Sequence, residues 1–418
     1  LGMVFQGVWW AGYLLVPFVL AKSLAASGGL ITLAVTMDFG GMLLAVYWGY
    51  LLTRGSRRRL ILWSGVLGRL GLVAGIFLHS AGQFVALLAV VYFCAALVYP
   101  AQNGILQVTI RPRRQGRIWG LGTAVQNGVA VLVSIAMGQI LDHDPGLFKV
   151  LYAGIGVCGF VHLWILARLP QPGERRHTLT EPFAEMTQMV SPAVSRHPVR
   201  LLWQPFLEAV ATFRQDRRYL WFEANFMTYG LAFMVLMPIL PILFNSRLHL
   251  DYEQISTARV LIAQSGVALL GPFMGRFMDR YHPARLCQLA FALMILFPLG
   301  LILASRGGEA QGARFVYLAF VCYALGMAGV NIAWNVGSIT FAPNGMGSHY
   351  QGIHVAMVGI RGLLGPGLGF AVYRFLGLER VFWLAAVLFL AASISSAGLG
   401  RWLSRQSAGG GEIHSGAG

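Results

Sequence analysis

Charged side chains inside long apolar stretches are the residues of this sequence most able to do chemistry. Asp38, Arg69, Arg259, Arg276 and Arg361 fall in such stretches, and Glu223 lies about one turn into another. A charge held in hydrocarbon costs several kcal/mol unless it is paired, so each one marks a candidate site. Of the 15 acids, Asp38 is the one that lies deep. It can pair with Arg69 inside one helical hairpin, or it can act as a proton site. Glu223 near a helix start reads as an exposed acid favoured by the dipole. Arg259 and Arg276 read as snorkelling residues at the edges of the apolar layer. No other chemistry stands out. Cys94, Cys158, Cys287 and Cys322 all lie in apolar stretches, which points to free thiols. There is no metal-ligand spacing, phosphate-cradling loop or nucleophile setting, so neither an enzyme, a cofactor nor a metal is expected.

The elements that carry these charges are long and apolar. Of 418 residues, 57% are hydrophobic and only 11% charged, against roughly 25% charged in soluble domains. A soluble fold of this size cannot hide so much apolar surface, which makes the bilayer the solvent. Spans of about 20 apolar residues occur near 4–26, 30–52, 60–79, 84–109, 118–141, 147–168, 220–245, 253–278, 286–305, 314–338, 352–375 and 380–403. The expected fold is all-α and polytopic, with about twelve transmembrane helices in two six-helix bundles, 1–168 and 220–403. The first span reads as a spanning helix and not a cleavable signal. The chain begins at Leu1, so a few residues are expected ahead of it.

Between the bundles, 169–219 is polar and contains several prolines. Within it 199–213, "VRLLWQPFLEAVATF", places Leu202, Phe206, Val210 and Phe213 on one side. That pattern fits a helix lying on the inner membrane surface, or one packed under the bundle. The Gly-rich tail 404–418 is expected to be disordered.

The net charge is +16. Its distribution argues against nucleic acid, because the arginines sit in short clusters between spans. With the N-terminus inside, Arg54, Arg57, Arg58, Arg59, Arg111, Arg113, Arg114 and Arg117 all fall on the inner side, and the outer loops carry far fewer. Both termini are therefore expected in the cytoplasm, with the protein in a bacterial inner membrane. The two halves also look like a repeat. "GYLLTRGSRRRL" from Gly49 matches "GRFMDRYHPARL" from Gly275, "QNG" at 126–128 aligns with "IRG" at 360–362, and Asn103 aligns with Asn335.

These loops resemble the signature G-x-x-x-D-R-x-G-R-R of major facilitator superfamily transporters. Gly275, Asp279, Arg280 and Arg285 match the second copy. Gly49, Arg54, Arg57 and Arg58 match the first, but Thr53 stands where the acid belongs. "GIRGLLGPGLG" in the eleventh span, with Gly365, Pro366 and Gly369, is similar to the family's Gly-Pro packing motif. The resemblance implies two pseudo-symmetric bundles around a central cavity, rocking between inward and outward openings. A missing acid at Thr53 implies a weaker charge lock at the cytoplasmic gate.

In this family the face of helix two that carries the motif glycine meets helix eleven. Asp38 precedes Gly49 by about three helical turns, roughly 16 Å, which suggests an Asp38–Arg361 pair alongside the local Asp38–Arg69 alternative. The resemblance also implies that helices one, four, seven and ten line the cavity. Candidate substrate-binding residues there are Trp10, Tyr13, Gln102, Asn103, Asn225, Tyr229, Asn331, Trp334 and Asn335. Amides and aromatic rings suit a neutral or amphipathic organic molecule. These four helices lack deep Lys or Arg, which argues against phosphate esters, and the lack of a deep acid argues against strong cations. The expected function is a secondary transporter working by alternating access. The alternative is a non-transporting membrane subunit or assembly factor. The expected partners are the lipid bilayer and a small-molecule substrate, with no nucleic acid; the chain is expected as a monomer, or as a subunit of a larger membrane complex.

Overall fold

Among the described residues, twelve helices are long and apolar enough to cross a membrane and one further helix connects the sixth to the seventh. The structure, a computed structural model, describes residues 1–169, 198–250, 254–255 and 257–409. The spanning helices are α1 (Gly2–Lys22), α2 (Gly29–Arg54), α3 (Arg57–Phe77), α4 (Ala81–Thr109), α5 (Pro112–His143) and α6 (Pro145–Ala167). After the connecting helix α7 (Pro198–Gln215) come α8 (Arg217–Phe244), α9 (Thr257–Arg280), α10 (Pro283–Arg306), α11 (Gln311–Val336), α12 (Gly347–Leu376) and α13 (Leu378–Gln406). Side chains such as Leu132, Leu269 and Phe375 stay exposed along the spans. In lipid that exposure carries no penalty, and helices are the form in which an isolated span can satisfy its own backbone. Most of the linker, 170–197, and the tail beyond 409 lie outside the described residues.

Several spans are interrupted, and the interruptions decide which way side chains point. α2 breaks at Leu44, between helical runs Gly28–Leu43 and Ala45–Arg54. α3 changes from α-helix to a π-turn at Gly65–Arg69 and then to 3-10 geometry over Leu70–Phe77. α8 breaks at Met237 and Pro238, where a proline removes a backbone donor.

The chain divides into two compact units. The first holds the described parts of Leu1–Gln115, Leu121–Gln215 and Ser338–Leu363. Its core joins Trp9, Leu20, Phe84, Leu88, Tyr92 and Tyr152. The start of α12 belongs to it because α12 lies tightly on α2. A Cβ at Gly49 would sit 2.8 Å from the Ser348 carbonyl, and one at Gly359 2.7 Å from the Phe39 carbonyl. Close approach of this kind needs glycine.

The second unit holds the described parts of Gly116–Gly120, Asp216–Gly337 and Leu364–Gly418. Aromatic side chains fill it: Tyr229 stacks on Phe291 at 4.7 Å, and Phe297 meets Tyr323 at 5.1 Å. His282 caps α10 by accepting from the Ala284 N–H at 3.2 Å. Burial, helped by Arg218, holds its imidazole down to about 4, so it stays neutral and able to accept. Glu223 is not the exposed acid its position suggests. It is 1% exposed, on the face of α8 that also buries Phe222 and Phe226.

α7 has two faces. Glu208, Ala209 and Thr212 turn inward. Glu208 pairs with Arg54 at 2.9 Å, Thr212 shares a hydrogen bond with His349, and Phe206 meets Tyr47 edge-on. The outward stripe is Trp203, Leu207 and Val210, with Trp203 62% and Leu207 61% exposed. The segment is thus helical, but its outward stripe includes Trp203 and Leu207 while Phe206 packs inward.

A candidate substrate cleft and the gate contacts

α1 builds one wall of a cleft. Gln6, Trp9, Trp10 and Tyr13 recur at helical spacing and face the same side. α2 adds Asp38 and Met42, α3 adds Arg69, and α4 adds Tyr92 and Tyr99. The cleft holds about 440 Å³ of empty space, counting its open mouth; about 30 Å³ of this is open to the centre of a water molecule. That is room for one or two waters.

Asp38 accepts a hydrogen bond from the Tyr13 hydroxyl. Tyr13 in turn stacks on Trp10 at 4.7 Å and meets Tyr92 edge-on at 6.0 Å. Arg69 is 3% exposed. It donates to Gln6 Oε1 at 2.9 Å and lies 4.1 Å over the Trp9 ring. Its Nε finds no acceptor among the described residues. Both charges therefore face neutral neighbours across one cleft.

Neither expected ion pair forms. Among the described residues no ion pair joins Asp38 to Arg361 or to Arg69. The break at Leu44 explains the first miss, because counting helical phase from Gly49 back to Asp38 crosses an irregular turn. Phe39 takes the face toward α12, where Gly359 and Gly362 close on it. Asp38, one residue earlier, is rotated about 100° toward α1. Arg361 is buried on α12.

The other cavity candidates fall in different places. Trp10 and Tyr13 line the cleft. Gln102 is buried against His162, Nε2 to Nε2 at 2.9 Å, while His162 Nδ1 meets the Gly2 carbonyl at 2.9 Å. Both contacts are satisfied by a neutral imidazole that donates from Nδ1 and accepts at Nε2. Asn103 is fully buried beside it in the chain. In the second unit Asn225 and Tyr229 are buried, and Tyr229 donates to Met327 Sδ at 3.2 Å. Asn335 donates to Asn331 Oδ1 at 3.0 Å, and Trp334 is half-buried one residue away. Trp9, Tyr92 and Tyr99 were missed as lining residues. The i, i+3 step from Gln6 to Trp9 and the i, i+7 step from Tyr92 to Tyr99 were the available signals. No group of three His, Cys, Asp or Glu comes together among the described residues.

The two signature loops are built differently. In the second copy, Gly275 lies against the Gly116 backbone with no room for a Cβ. Asp279 accepts from the Gly116 and Arg117 N–H groups, both at 2.7 Å. Arg280 and Arg285 flank Tyr281 at 5.7 and 5.8 Å. In the first copy Thr53 bonds only within its own helix, to the Tyr50 carbonyl. The acceptor at the start of α12 comes from another helix. Gln107 Oε1 accepts from the Gly347 N–H at 2.9 Å, and its amide donates to the carbonyls of Ile339, Ala342 and Pro343. Arg54 finds its carboxylate on Glu208 of α7, and Arg57 donates to the Gly345 carbonyl at 2.9 Å. Arg58 is exposed.

Glycine-mediated helix contacts, paired signature loops and twelve spans converge with sequence comparison, in which a model of the Major Facilitator Superfamily matches residues 1–360. The chain belongs to the major facilitator superfamily. It is a multi-pass membrane protein and a secondary transporter, and its family and structural neighbours are transporters, not enzymes. No curated protein sequence matches it. Among solved structures, the human organic anion transporter MFSD10 (TETRAN) is similar over 94% of this chain and 97% of its own, with 15% identity and TM-score 0.64. The E. coli fucose:proton symporter FucP covers 95% and 97%, with 13% identity and TM-score 0.62. A bacterial homologue of the iron transporter ferroportin in its outward-facing state covers 95% and 97%, with 12% identity and TM-score 0.65. At these identities the likeness is one of fold.

Proposed function

We propose that this superfamily member moves a small organic molecule, neutral or amphipathic overall, by alternating access. The observation that carries the reading is the cleft of α1 to α4, where five aromatic rings and one amide surround two opposite charges. Rings supply area for stacking, and amides fix orientation. The site residues are Trp10, Tyr13, Asp38 and Arg69, with the loops at Gly49 and Gly275 as gate. The protein works as a monomer in a bacterial inner membrane with both termini in the cytoplasm, a placement supported by the arginine clusters. A thermal-shift screen of the detergent-purified protein against metabolites and drugs tests the reading. A ligand that binds the folded state raises Tm by mass action, and one chemical class is expected to stand out. A flat screen from a protein that copurifies in a large assembly speaks for the non-transporting alternative.

α7 then lies on the inner membrane surface. Its outward stripe of Trp203, Leu207 and Val210 is followed one turn on by Arg214, an arrangement suited to acyl chains beside headgroups. A nitroxide at Leu207→Cys, in a background without the four native cysteines, is expected to be more accessible to oxygen than to an aqueous nickel chelate. A label as water-accessible as one at Arg58→Cys places the helix in water.

A further inference from the structure

Two charges of opposite sign share the cleft, Arg69 buried and Asp38 half-buried, and neither has a charged partner. Asp38 has the Tyr13 hydroxyl. Arg69 has Gln6 and the face of Trp9, with its Nε unsatisfied. Burying a guanidinium or a carboxylate this way is costly unless a counter-charge arrives, and leaving one of a buried pair uncompensated costs more than the pair is worth. A stable resting protein could remove the cost by joining the two. Here they are kept apart, each aimed at the same small space. Arg69 is placed there by backbone irregularity, since it closes the π-turn Gly65–Arg69. Such turns break helix regularity and are frequent at functional sites.

The lining between the charges completes the picture. Trp9, Trp10, Tyr13, Tyr92 and Tyr99 present ring faces and edges. Ring faces attract a cation, and more strongly where water is excluded. A guanidinium forms paired hydrogen bonds with a carboxylate. A purely anionic ligand would meet Asp38, and a purely cationic one would meet Arg69. A molecule carrying both signs satisfies both walls and crosses the membrane with no net charge.

We propose that the transported molecule is zwitterionic, its anionic group held by Arg69 and its cationic group by Asp38 within the aromatic lining. This rests on the transporter reading and names the substrate class of that same cleft. Gln6 and Tyr13 are positioning residues, since one orients the guanidinium and the other the carboxylate.

The test is a thermal-shift titration of the full chain in detergent, using the protein amino acids with uncharged side chains as probes. Each stabilising zwitterion is followed by its N-acetyl form, which keeps only the anion, its amide, which keeps only the cation, and its N-acetyl amide, which keeps neither. At least one zwitterion is expected to raise Tm by several degrees, and removing either charge to weaken its half-saturation about thirtyfold or more. The variants should then cross over. Asp38→Asn is expected to bind the anion-only form better than wild type does, and Arg69→Met the cation-only form better. A merely structural role would weaken all forms alike. Arg69→Lys keeps the sign if Arg69→Met does not fold, and the wild-type ligand series decides without any variant. A panel in which no zwitterion stabilises overturns the proposal, as does an uncharged derivative that binds as well as its parent. If an uncharged compound stabilises the protein while every zwitterion fails, the transporter reading stands and this substrate class falls.

Discussion

Replacing Asp279 by Ala is expected to lower Tm and to shift the protein away from the conformation described here. The carboxylate accepts two backbone N–H groups of α5 at 2.7 Å, those of Gly116 and Arg117. Hydrogen bonds to a charged acceptor contribute about 1.5–3 kcal/mol each when sheltered. Asp279 is half-exposed, so about 2–3 kcal/mol for the pair is a fair expectation. Under alternating access these bonds belong to one state and must break in the other. Their loss then changes the ratio of states by about thirtyfold to 150-fold. Asn is expected to be nearly as harmful as Ala, because its amide turns a donor toward at least one of the two N–H groups. The readout is labelling of single cysteines placed near Gly275 on α9 and near Gly116 on α5. Faster labelling in Asp279→Ala, with wild-type rates in Arg280→Ala, is the expected pattern. Equal rates in wild type and Asp279→Ala mean the contact does not hold this state. Gly275→Leu offers a second route to the same result, since any Cβ there meets the Gly116 backbone.

The second signature copy was readable in the sequence because its parts act where they sit. Gly275 and Asp279 lie one turn apart near the end of one helix, and both touch the same short stretch of α5. The twelve spans were readable for a similar reason. Lipid leaves few options for an apolar segment of this length, and the expected 84–109 and 147–168 lie close to Ala81–Thr109 and Pro145–Ala167. One class of failure lies at helix irregularities. Asp38 was aimed at α12 by counting turns through Leu44, where α2 breaks. Arg69 was not expected in the cleft because a π-turn inserts it there, and no residue pattern announces that turn. The burial of Glu223 depends on which face of α8 is covered, and its closeness to a helix start says nothing about that. Contacts between residues far apart in the chain form a third class. Glu208 meets Arg54 across more than a hundred residues, and nothing in the spacing of either links them.

Gln107 is the extreme case of that class, and its replacement is the second large effect expected. The side chain works from both ends. Its oxygen accepts from the Gly347 N–H at the start of α12, and its amide reaches three carbonyls, at 3.0 Å to Ala342, 3.1 Å to Pro343 and 3.3 Å to Ile339. Gln107→Ala removes all four contacts but lets water reach the more exposed carbonyls, so the loss should be about 1–2 kcal/mol. Gln107→Glu has almost the same shape and is expected to be worse, by about 3 kcal/mol, because a carboxylate has no proton for the carbonyls and repels them. An ordering by size alone would rank the two variants the other way, which makes the comparison by thermal unfolding decisive. The repeat supplies a further step. Asp279 satisfies backbone N–H groups of α5 from the signature position, and Thr53 occupies the related position facing α12. In the Gln107→Ala background, Thr53→Asp should therefore recover part of the lost Tm by restoring an acceptor for the start of α12. Recovery means that Gln107 has taken over the work of the missing acid. No recovery, with Gln107→Glu still the worse variant, means that its donor side, clamped on residues 339–343, is what holds this end of α12 in place.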